Sequence, residues 1–180
     1  MSANGAWDGI LDDGEEILWQ GRPDPTLVLK PRQIGLALFG MLFAGFALFW
    51  MIMASLAGGF MWMFGLIHFS VGVALIVGPQ YYSAYRRRNT WYTLTDRRAF
   101  IATELAVVGK KLQSYPIDND TRLDFIDENP ATIHFAETTR RTKNGSYRVP
   151  VGFERIEEGR KVYRLIRDIQ SGEIADENGA

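Results

Sequence analysis

The pattern of polar and apolar positions divides the chain into an uncharged middle and charged flanks. No Asp, Glu, Lys or Arg occurs from residue 33 to residue 85. This block contains two apolar spans, at about residues 34–54 and 60–80, separated by residues 55–59. Each span has about 21 residues, or roughly 32 Å of α-helix, which matches a hydrocarbon core of about 30 Å. Because a backbone in lipid must satisfy its own hydrogen bonds, the block is predicted to be a transmembrane helical hairpin over residues 33–85.

Two other interpretations of the uncharged block are weaker. A pair of buried helices in a soluble protein would normally carry a charged face. A cleaved signal peptide is suggested by Ser55-Leu56-Ala57, which has the small-x-small pattern of a cleavage site. However, the preceding apolar stretch exceeds the usual length of about 7–15 residues, and the leader is acidic rather than basic. An uncleaved anchor is therefore favoured.

The charges beside the spans predict the orientation of the hairpin. Lys30 and Arg32 precede the first span, three arginines at residues 86–88 follow the second, and the connecting turn carries no charge. Basic residues collect on the cytoplasmic side of a membrane. We therefore expect a multi-pass protein with both termini in the cytoplasm.

Small residues follow one another at four-residue spacing on both spans, which lets helix backbones approach closely. They are Gly40 and Ala44 on the first span, and Ser70, Ala74 and Gly78 on the second. Packing of the hairpin on itself is favoured over contact with another protein. His68 is the one ionisable side chain of the block, and without a second ligand it is expected to form a hydrogen bond within the helix pair.

The charged flanks predict a β-rich domain and a final helix. Residues 1–11 are expected to be disordered, and residues 12–32 to form a cytoplasmic juxtamembrane segment with a short strand at residues 17–19. Residues 86–172 contain several short runs of β-branched and aromatic residues, and Asn144-Gly145 is a strong hairpin signal. Val162, Leu165, Ile166 and Ile169 form one apolar helical stripe before a polar tail at residues 173–180. The fold class is therefore α+β: a membrane hairpin plus a small barrel or sandwich of about seven strands, capped by a C-terminal helix.

Several segments resemble the bacterial membrane-anchored pleckstrin-homology-like (PH-like) family. They are residues 15–23 (EEILWQGRP) before the hairpin, residues 90–98 (TWYTLTDRR) after it, and the final GFERI and VYRLIR stretches. The resemblance covers about residues 12–170. It implies a seven-stranded PH-like barrel with a C-terminal helix at the cytoplasmic face of a bacterial inner membrane, and it implies no catalytic activity.

An enzymatic function is not expected. Residues 135–142 (FAETTRRT) are similar to the carbamoyl-phosphate signature of aspartate and ornithine carbamoyltransferases, but Arg140 replaces a threonine and no α/β pattern surrounds the segment. A charged, solvated loop is the favoured interpretation there. The chain has no cysteine, no Gly-rich phosphate loop and no His-Glu metal motif, so no catalytic residue, cofactor or metal is predicted.

Basic residues crowd the region that follows the hairpin, although the net charge of −1 argues against nucleic acid as a partner. The predicted membrane-facing or lipid-facing set is Arg86, Arg87, Arg88, Arg97, Arg98, Lys110 and Lys111. Their role is membrane orientation and docking, binding of anionic lipid head groups, or ordinary solubility at a barrel rim. We expect a non-enzymatic membrane protein whose PH-like module binds lipid or protein as a scaffold. The alternative is an accessory or assembly subunit of a larger membrane complex, bound through its transmembrane helices.

Overall fold

The computed structural model describes residues 7–28, 31–143 and 145–172. It has an α+β architecture with three helices and two antiparallel sheets, which confirms the predicted fold class at that level. The elements are β1 (Ile17–Gly21), α1 (Pro31–Leu56), α2 (Trp62–Arg88), β2 (Thr90–Thr95), β3 (Arg98–Leu105), β4 (Gly109–Pro116), β5 (Asp124–Ile126), β6 (Ala131–Thr142), β7 (Gly145–Ile156) and α3 (Gly159–Ser171).

The chain divides into two compact units. One, the hairpin unit, comprises Pro25–Arg86, and the other, the β unit, comprises the residues up to Asp24 together with those from Arg87 onwards. The β unit is therefore discontinuous in sequence, because the hairpin unit is inserted into it.

The hairpin unit consists of α1 and α2, and both helices are long and apolar enough to cross a membrane. Only 17% and 11% of their most apolar stretches are buried, which disfavours the alternative of a buried helix pair in a soluble protein. The helices approach closely at glycines. A Cβ at Gly40 would lie 2.8 Å from the carbonyl oxygen of Gly72, and a Cβ at Gly72 would lie 2.7 Å from the Cβ of Ala44. Bulkier residues would therefore force the helices apart.

The β unit consists of sheet A, in the order β1-β2-β3-β4, and sheet B, in the order β5-β6-β7. The two sheets and α3 share one hydrophobic core. Leu94 from sheet A, Ile133 and Phe153 from sheet B, and Val162 and Ile166 from α3 are all 0% exposed. The predicted helical stripe is thus the face that α3 buries. Pro150 lies on β7, an edge strand, where its missing N–H costs no central hydrogen bond.

β1 belongs to sheet A, and this differs from the domain boundaries expected from sequence. Residues 12–32 were expected to form a separate juxtamembrane segment, with the domain restricted to residues 86–172. Instead, Ile17 pairs with Thr95 and Gly21 with Tyr92 in an antiparallel ladder. Trp19 enters the shared core, and its indole N–H donates to a Glu158 carboxylate oxygen at 2.7 Å. The domain therefore uses the chain on both sides of the hairpin.

The ends of the chain differ in part from the predicted disorder. Residues 7–11 form turns, and the Trp7 ring packs edge-on against Phe100 with 5.3 Å between ring centroids. The predicted disorder therefore does not extend to residues 7–11. The expectations for residues 1–6 and for the tail at residues 173–180 lie outside the described residues.

The predicted strands are confirmed, but β6 is longer than expected. Residues 135–142 were expected to form a charged, solvated loop, yet they lie within β6, which pairs with β7 as far as Thr142 and Gly145. The predicted Asn144-Gly145 hairpin is confirmed by this pairing, although Asn144 itself lies outside the described residues. A long two-stranded ribbon can expose both faces, which explains why a polar sequence is extended here.

Candidate functional site

The predicted basic residues of the β unit lie at two opposite ends of sheet A. We call the end where β2 begins at Thr90 the junction end, and the end where β2 finishes at Thr95 the far end. Lys111 pairs with Thr103, which pairs with Thr90, so the two lysines lie at the junction end. Arg97 and Arg98 follow Thr95 and lie at the far end. Six residues of strand separate the ends by about 20 Å. The predicted set is therefore split, not continuous.

Arg98 is held at the far end by a buried carboxylate. The Glu15 side chain is fully buried, and it accepts hydrogen bonds from the Arg98 guanidinium and from the Thr95 hydroxyl at 2.7 Å. The backbone N–H of Asp12 donates to the same carboxylate at 2.9 Å. Burial raises the pKa of Glu15, but the hydrogen bonds from Arg98, Asp12 and Thr95 and the charge of Arg98 outweigh it and lower the pKa to about 2. Glu15 is thus ionised when paired, and it fastens the N-terminal segment to the β2–β3 turn.

This network changes the role expected for Arg98. Its Nε and Nη2 contact the Glu15 carboxylate, and Nη2 also lies 3.1 Å from the Asp12 carboxylate, so these two nitrogens are engaged within the protein. The Arg97 side chain remains 51% exposed, 3.5 Å from Asp96, whereas that of Arg98 is 24% exposed. Of the two far-end arginines, Arg97 is therefore the more accessible to solvent.

Arg87 also has an internal role at the junction end. It is only 4% exposed, and its Nε–H donates to the carbonyl oxygen of Asp24 at 2.9 Å. The N–H of Asp24 donates to the carbonyl oxygen of Arg155 at 2.8 Å, and the Asp24 carboxylate pairs with the Arg155 guanidinium. Arg155 adopts a φ of 53°, which non-glycine residues rarely do. These contacts fasten together the two segments of the β unit that flank the hairpin unit.

Four of the predicted basic residues are open to solvent besides Arg97. They are Arg86, Arg88, Lys110 and Lys111. Lys110 is 81% exposed and lies 3.5 Å from Glu104, itself 54% exposed, which is a weak surface pair. Of these, Arg88, Lys110 and Lys111 are more accessible to an external anion than Arg87 and Arg98.

The β3–β4 turn between these lysines and β3 carries two exposed valines that sequence reasoning missed. Val107 is 97% exposed and Val108 is 68% exposed. The available signal was their position between a predicted strand and Gly109, where polar residues normally form the turn.

The outer face of sheet A carries a shallow, mainly apolar groove towards the junction end. Trp7, Ile10, Trp91 and Leu112 contribute apolar lining, and the Arg22 guanidinium lies over the Trp91 ring at 4.9 Å from its centroid. A groove of this kind can hold an apolar group of a ligand beside the Arg22 guanidinium. Sequence reasoning missed it because its residues come from all four strands of sheet A and from the N-terminal turns.

The predicted helix-packing residues fall into two groups. Gly40 and Ala44 lie at the contact between α1 and α2, where Gly72 is their partner on α2. Ser70, Ala74 and Gly78 lie on an exposed part of α2 and line an open groove, so they do not take part in the favoured packing of the hairpin on itself. Contact of these three residues with another protein, the alternative, stays a prediction.

His68 forms the type of contact expected for it. Its Nδ1 lies 3.2 Å from the carbonyl oxygen of Phe64, one helical turn earlier, and its ring packs 5.1 Å from the Phe64 ring. Within the described residues, no group of three His, Cys, Asp or Glu side chains could hold a metal ion.

The segment that resembles the carbamoyl-phosphate signature is extended. Residues 135–142 all lie within β6, and from Glu137 onwards their side chains are mostly exposed. A phosphate grip of the carbamoyltransferase type uses backbone amides at a helix start, and an extended strand does not supply that geometry.

Comparisons with known proteins leave the chain without an assigned family: no family model, no curated protein and no solved structure matches it.

Proposed function

We propose that this chain is a non-enzymatic integral membrane protein that crosses a bacterial inner membrane twice and presents a PH-like module at the cytoplasmic face. The module would bind lipid head groups or a protein and act as a scaffold. The four-plus-three strand order followed by a core-packing helix supports the PH-like resemblance. The two long apolar helices support membrane insertion.

One observation carries the topology: β1 and β2 are hydrogen-bonded neighbours although the whole hairpin unit separates them in sequence. Strands cannot pair across a bilayer. If α1 and α2 both span the membrane, the chain must therefore leave and return on the same side. The basic residues around the start of α1, Lys30 and Arg32, and the three arginines that end α2 favour the cytoplasm for that side.

Because the chain has no cysteine, topology can be tested with single-cysteine variants. Asp13→Cys and Glu157→Cys report on the two parts of the β unit, and Ala57→Cys reports on the turn between the helices; all three positions are exposed. With a membrane-impermeant maleimide, Ala57→Cys should react in intact spheroplasts. Asp13→Cys and Glu157→Cys should react only after lysis.

Reaction of Asp13→Cys and Glu157→Cys from opposite sides would contradict the proposal, as would extraction of the chain from membranes by alkaline carbonate. The wild-type chain, which has no cysteine, is treated with the same maleimide as the control for reaction with other proteins.

A second candidate function is supported by the exposed groove on α2. Ser70, Ala74 and Gly78 expose a smooth, small-residue surface that another helix could pack against in lipid. The chain would then be an accessory or assembly subunit of a larger membrane complex. Native mass measurement after mild detergent extraction separates the two functions. Partner subunits that co-purify in fixed stoichiometry with the wild-type chain, and that are lost in the Ala74→Leu variant, favour the second function. Gly45→Leu is the matched control, since Gly45 is exposed and a Cβ there would meet no atom within 4 Å outside the backbone of its own helix.

A further inference from the structure

Among the described residues of the β unit, the β3–β4 turn carries the most exposed large apolar side chains. Val107 is 97% exposed, and neighbouring Val108 is 68% exposed. Single exposed apolar residues are common, but here two adjoin at the tip of a turn and lie near exposed Leu112 on β4. The turn therefore offers an apolar tip that a partner could cover.

The turn projects past the start of β2 at the junction end. Beyond the Thr90 register, the β3–β4 ladder continues through the pairs Glu104–Lys110 and Leu105–Gly109. These two pairs add about 7 Å of strand. The Glu104 N–H donates to the carbonyl oxygen of Asn89 at 2.9 Å, and Asn89 is the residue directly after α2. The turn thus extends from the end of sheet A at which the chain arrives from α2.

Positive charge accompanies the apolar tip. Lys110 and Lys111 follow Val108 after one glycine, and both are exposed. Among the described residues, the one carboxylate paired with them is that of Glu104, 3.5 Å from Lys110 and itself exposed. An apolar tip bordered by lysines matches the bilayer interface, where acyl chains accept the valines and anionic phosphates attract the ammonium groups. A soluble anion would satisfy the lysines but not the valines, so the observations favour a lipid surface.

We propose that residues 106–111 form a second membrane contact of this chain. Val107 and Val108 enter the interfacial layer of the bilayer that the hairpin unit crosses, and Lys110 and Lys111 bind phosphates of anionic head groups. The inference rests on the proposed function, because it requires that bilayer at the junction end. It deepens that function by assigning lipid contact to the β3–β4 turn and not to Arg97 and Arg98.

The test uses the full chain in lipid nanodiscs and one environment-sensitive fluorophore on single cysteines. Val107→Cys reports on the turn, Arg97→Cys is the exposed far-end control, and Phe49→Cys, at a position 62% exposed on α1, reports on the span. Lipids that carry a quencher near the head group or deep in the acyl chain measure depth. We expect the shallow quencher to reduce fluorescence at residue 107 and not at residue 97, and the deep quencher to reduce it at residue 49.

The outcomes separate this inference from the proposed function. Quenching at residue 49 with equal, weak quenching at residues 107 and 97 overturns the membrane contact and leaves the membrane span intact. No quenching at residue 49 overturns the proposed function and this inference with it.

A second arm tests the lysines. Replacing zwitterionic lipid by a mixture with anionic lipid should strengthen quenching at residue 107, and Lys110→Gln with Lys111→Gln should abolish that gain. High salt should also abolish the gain, because the screening length of exposed charges falls from about 8 Å at physiological ionic strength to about 3 Å at 1 M. A gain that persists in the glutamine variant contradicts binding of head-group phosphates by these two lysines.

Discussion

The hairpin unit displays its large apolar side chains, whereas the β unit encloses them. Phe46 and Phe49 of α1 are 67% and 62% exposed, while Phe153 and Ile133 of sheet B are both 0% exposed. Burial of apolar surface away from water stabilises the β unit, but in the bilayer that we propose for the hairpin unit that driving force between helices is absent. The hairpin unit relies instead on close backbone approach at Gly40 and Gly72. Large apolar side chains therefore form the core of the β unit, whereas in the hairpin unit most of them face outwards and glycines make the helix contact.

Charge is distributed in the same contrasting manner. The β unit contains buried or half-buried ionic contacts, such as Glu15 with Arg98 and Asp24 with Arg155. The apolar spans of the hairpin unit contain no Asp, Glu, Lys or Arg. A charge pair can be held in place within a domain surrounded by water, whereas an ion in the hydrocarbon that we propose around the hairpin unit would cost much free energy. The predictions below test this contrast, from the largest expected effect to the smallest.

Removing a core phenylalanine should have the largest effect. Phe153→Ala leaves a cavity among the Trp19, Tyr92 and Phe135 rings, whose centroids lie about 5 Å from that of Phe153. We expect the free energy of unfolding of the β unit to fall by about 3–5 kcal/mol. Hydrogen exchange of the sheet A and sheet B amides, measured on the full chain in detergent, gives this value.

The matched control is Phe49→Ala in the hairpin unit. Because Phe49 is 62% exposed, its removal should change the stability of the β unit by less than about 0.5 kcal/mol. Equal losses in the two variants would contradict the contrast between an enclosed and a displayed set of apolar residues.

Breaking the Glu15–Arg98 pair should have the next largest effect. Glu15→Gln removes a carboxylate whose pKa lies at about 2 against an ordinary value of 4.5, which corresponds to about 3 kcal/mol of stability at neutral pH. A carboxylate whose folded pKa is lowered stabilises the fold fully above about pH 4.5 and loses that contribution as the pH falls towards 2. The free energy of unfolding, measured at several pH values across this range, should therefore change less with pH for Glu15→Gln than for wild type.

Asp13→Asn is the control for the Glu15 variant, because Asp13 is exposed in the same segment. A pH dependence of Glu15→Gln that equals that of wild type would mean that other carboxylates account for the acid sensitivity.

Enlarging a contact glycine should loosen the hairpin unit. Gly72→Leu places a side chain where even a Cβ would lie 2.7 Å from that of Ala44, so we expect a loss of about 1–3 kcal/mol and a wider helix separation. Spin-label distances between α1 and α2 in detergent micelles measure the separation. Gly45→Leu should leave the separation unchanged, because a Cβ at this exposed position would meet no atom within 4 Å outside its own helix backbone. Widening in both variants would contradict the role assigned to Gly72.

Removing a surface ion pair should have the smallest effect. Glu137 and Arg148 lie 3.4 Å apart on β6 and β7 with side chains 59% and 81% exposed. Glu137→Gln should therefore change the free energy of unfolding by no more than about 1 kcal/mol, measured by the same hydrogen exchange. A loss as large as that of Glu15→Gln would contradict the assignment of ionic stabilisation to the buried pairs.

The elements of the fold were predictable from sequence because their signals are local. The uncharged block predicts two long apolar helices, alternation predicts most strands, and the stripe from Val162 to Ile169 predicts α3 and its buried face. β6 was predicted too short because its outer half is polar on both faces, and a polar ribbon has no local pattern that separates it from a loop.

The candidate site was less predictable because side-chain partners depend on contacts between distant residues. Sequence placed Arg87, Arg98, Lys110 and Lys111 in one set, since all four are basic and follow the hairpin unit. The fold engages Arg87 with Asp24 and Arg98 with Glu15, and it leaves the lysines open beside Val107 and Val108.

Sequence alone determined which segments are apolar helices and which are strands, because hydrophobic period and charge act over a few neighbouring residues. Tertiary structure alone decided that β1 pairs with β2 across the inserted hairpin unit. It also decided which basic side chains form ion pairs or hydrogen bonds within the protein, and at which end of sheet A the other basic side chains lie. Those outcomes follow from strand register and core packing, which bring together residues that are about 70 positions apart and leave no mark on either local pattern.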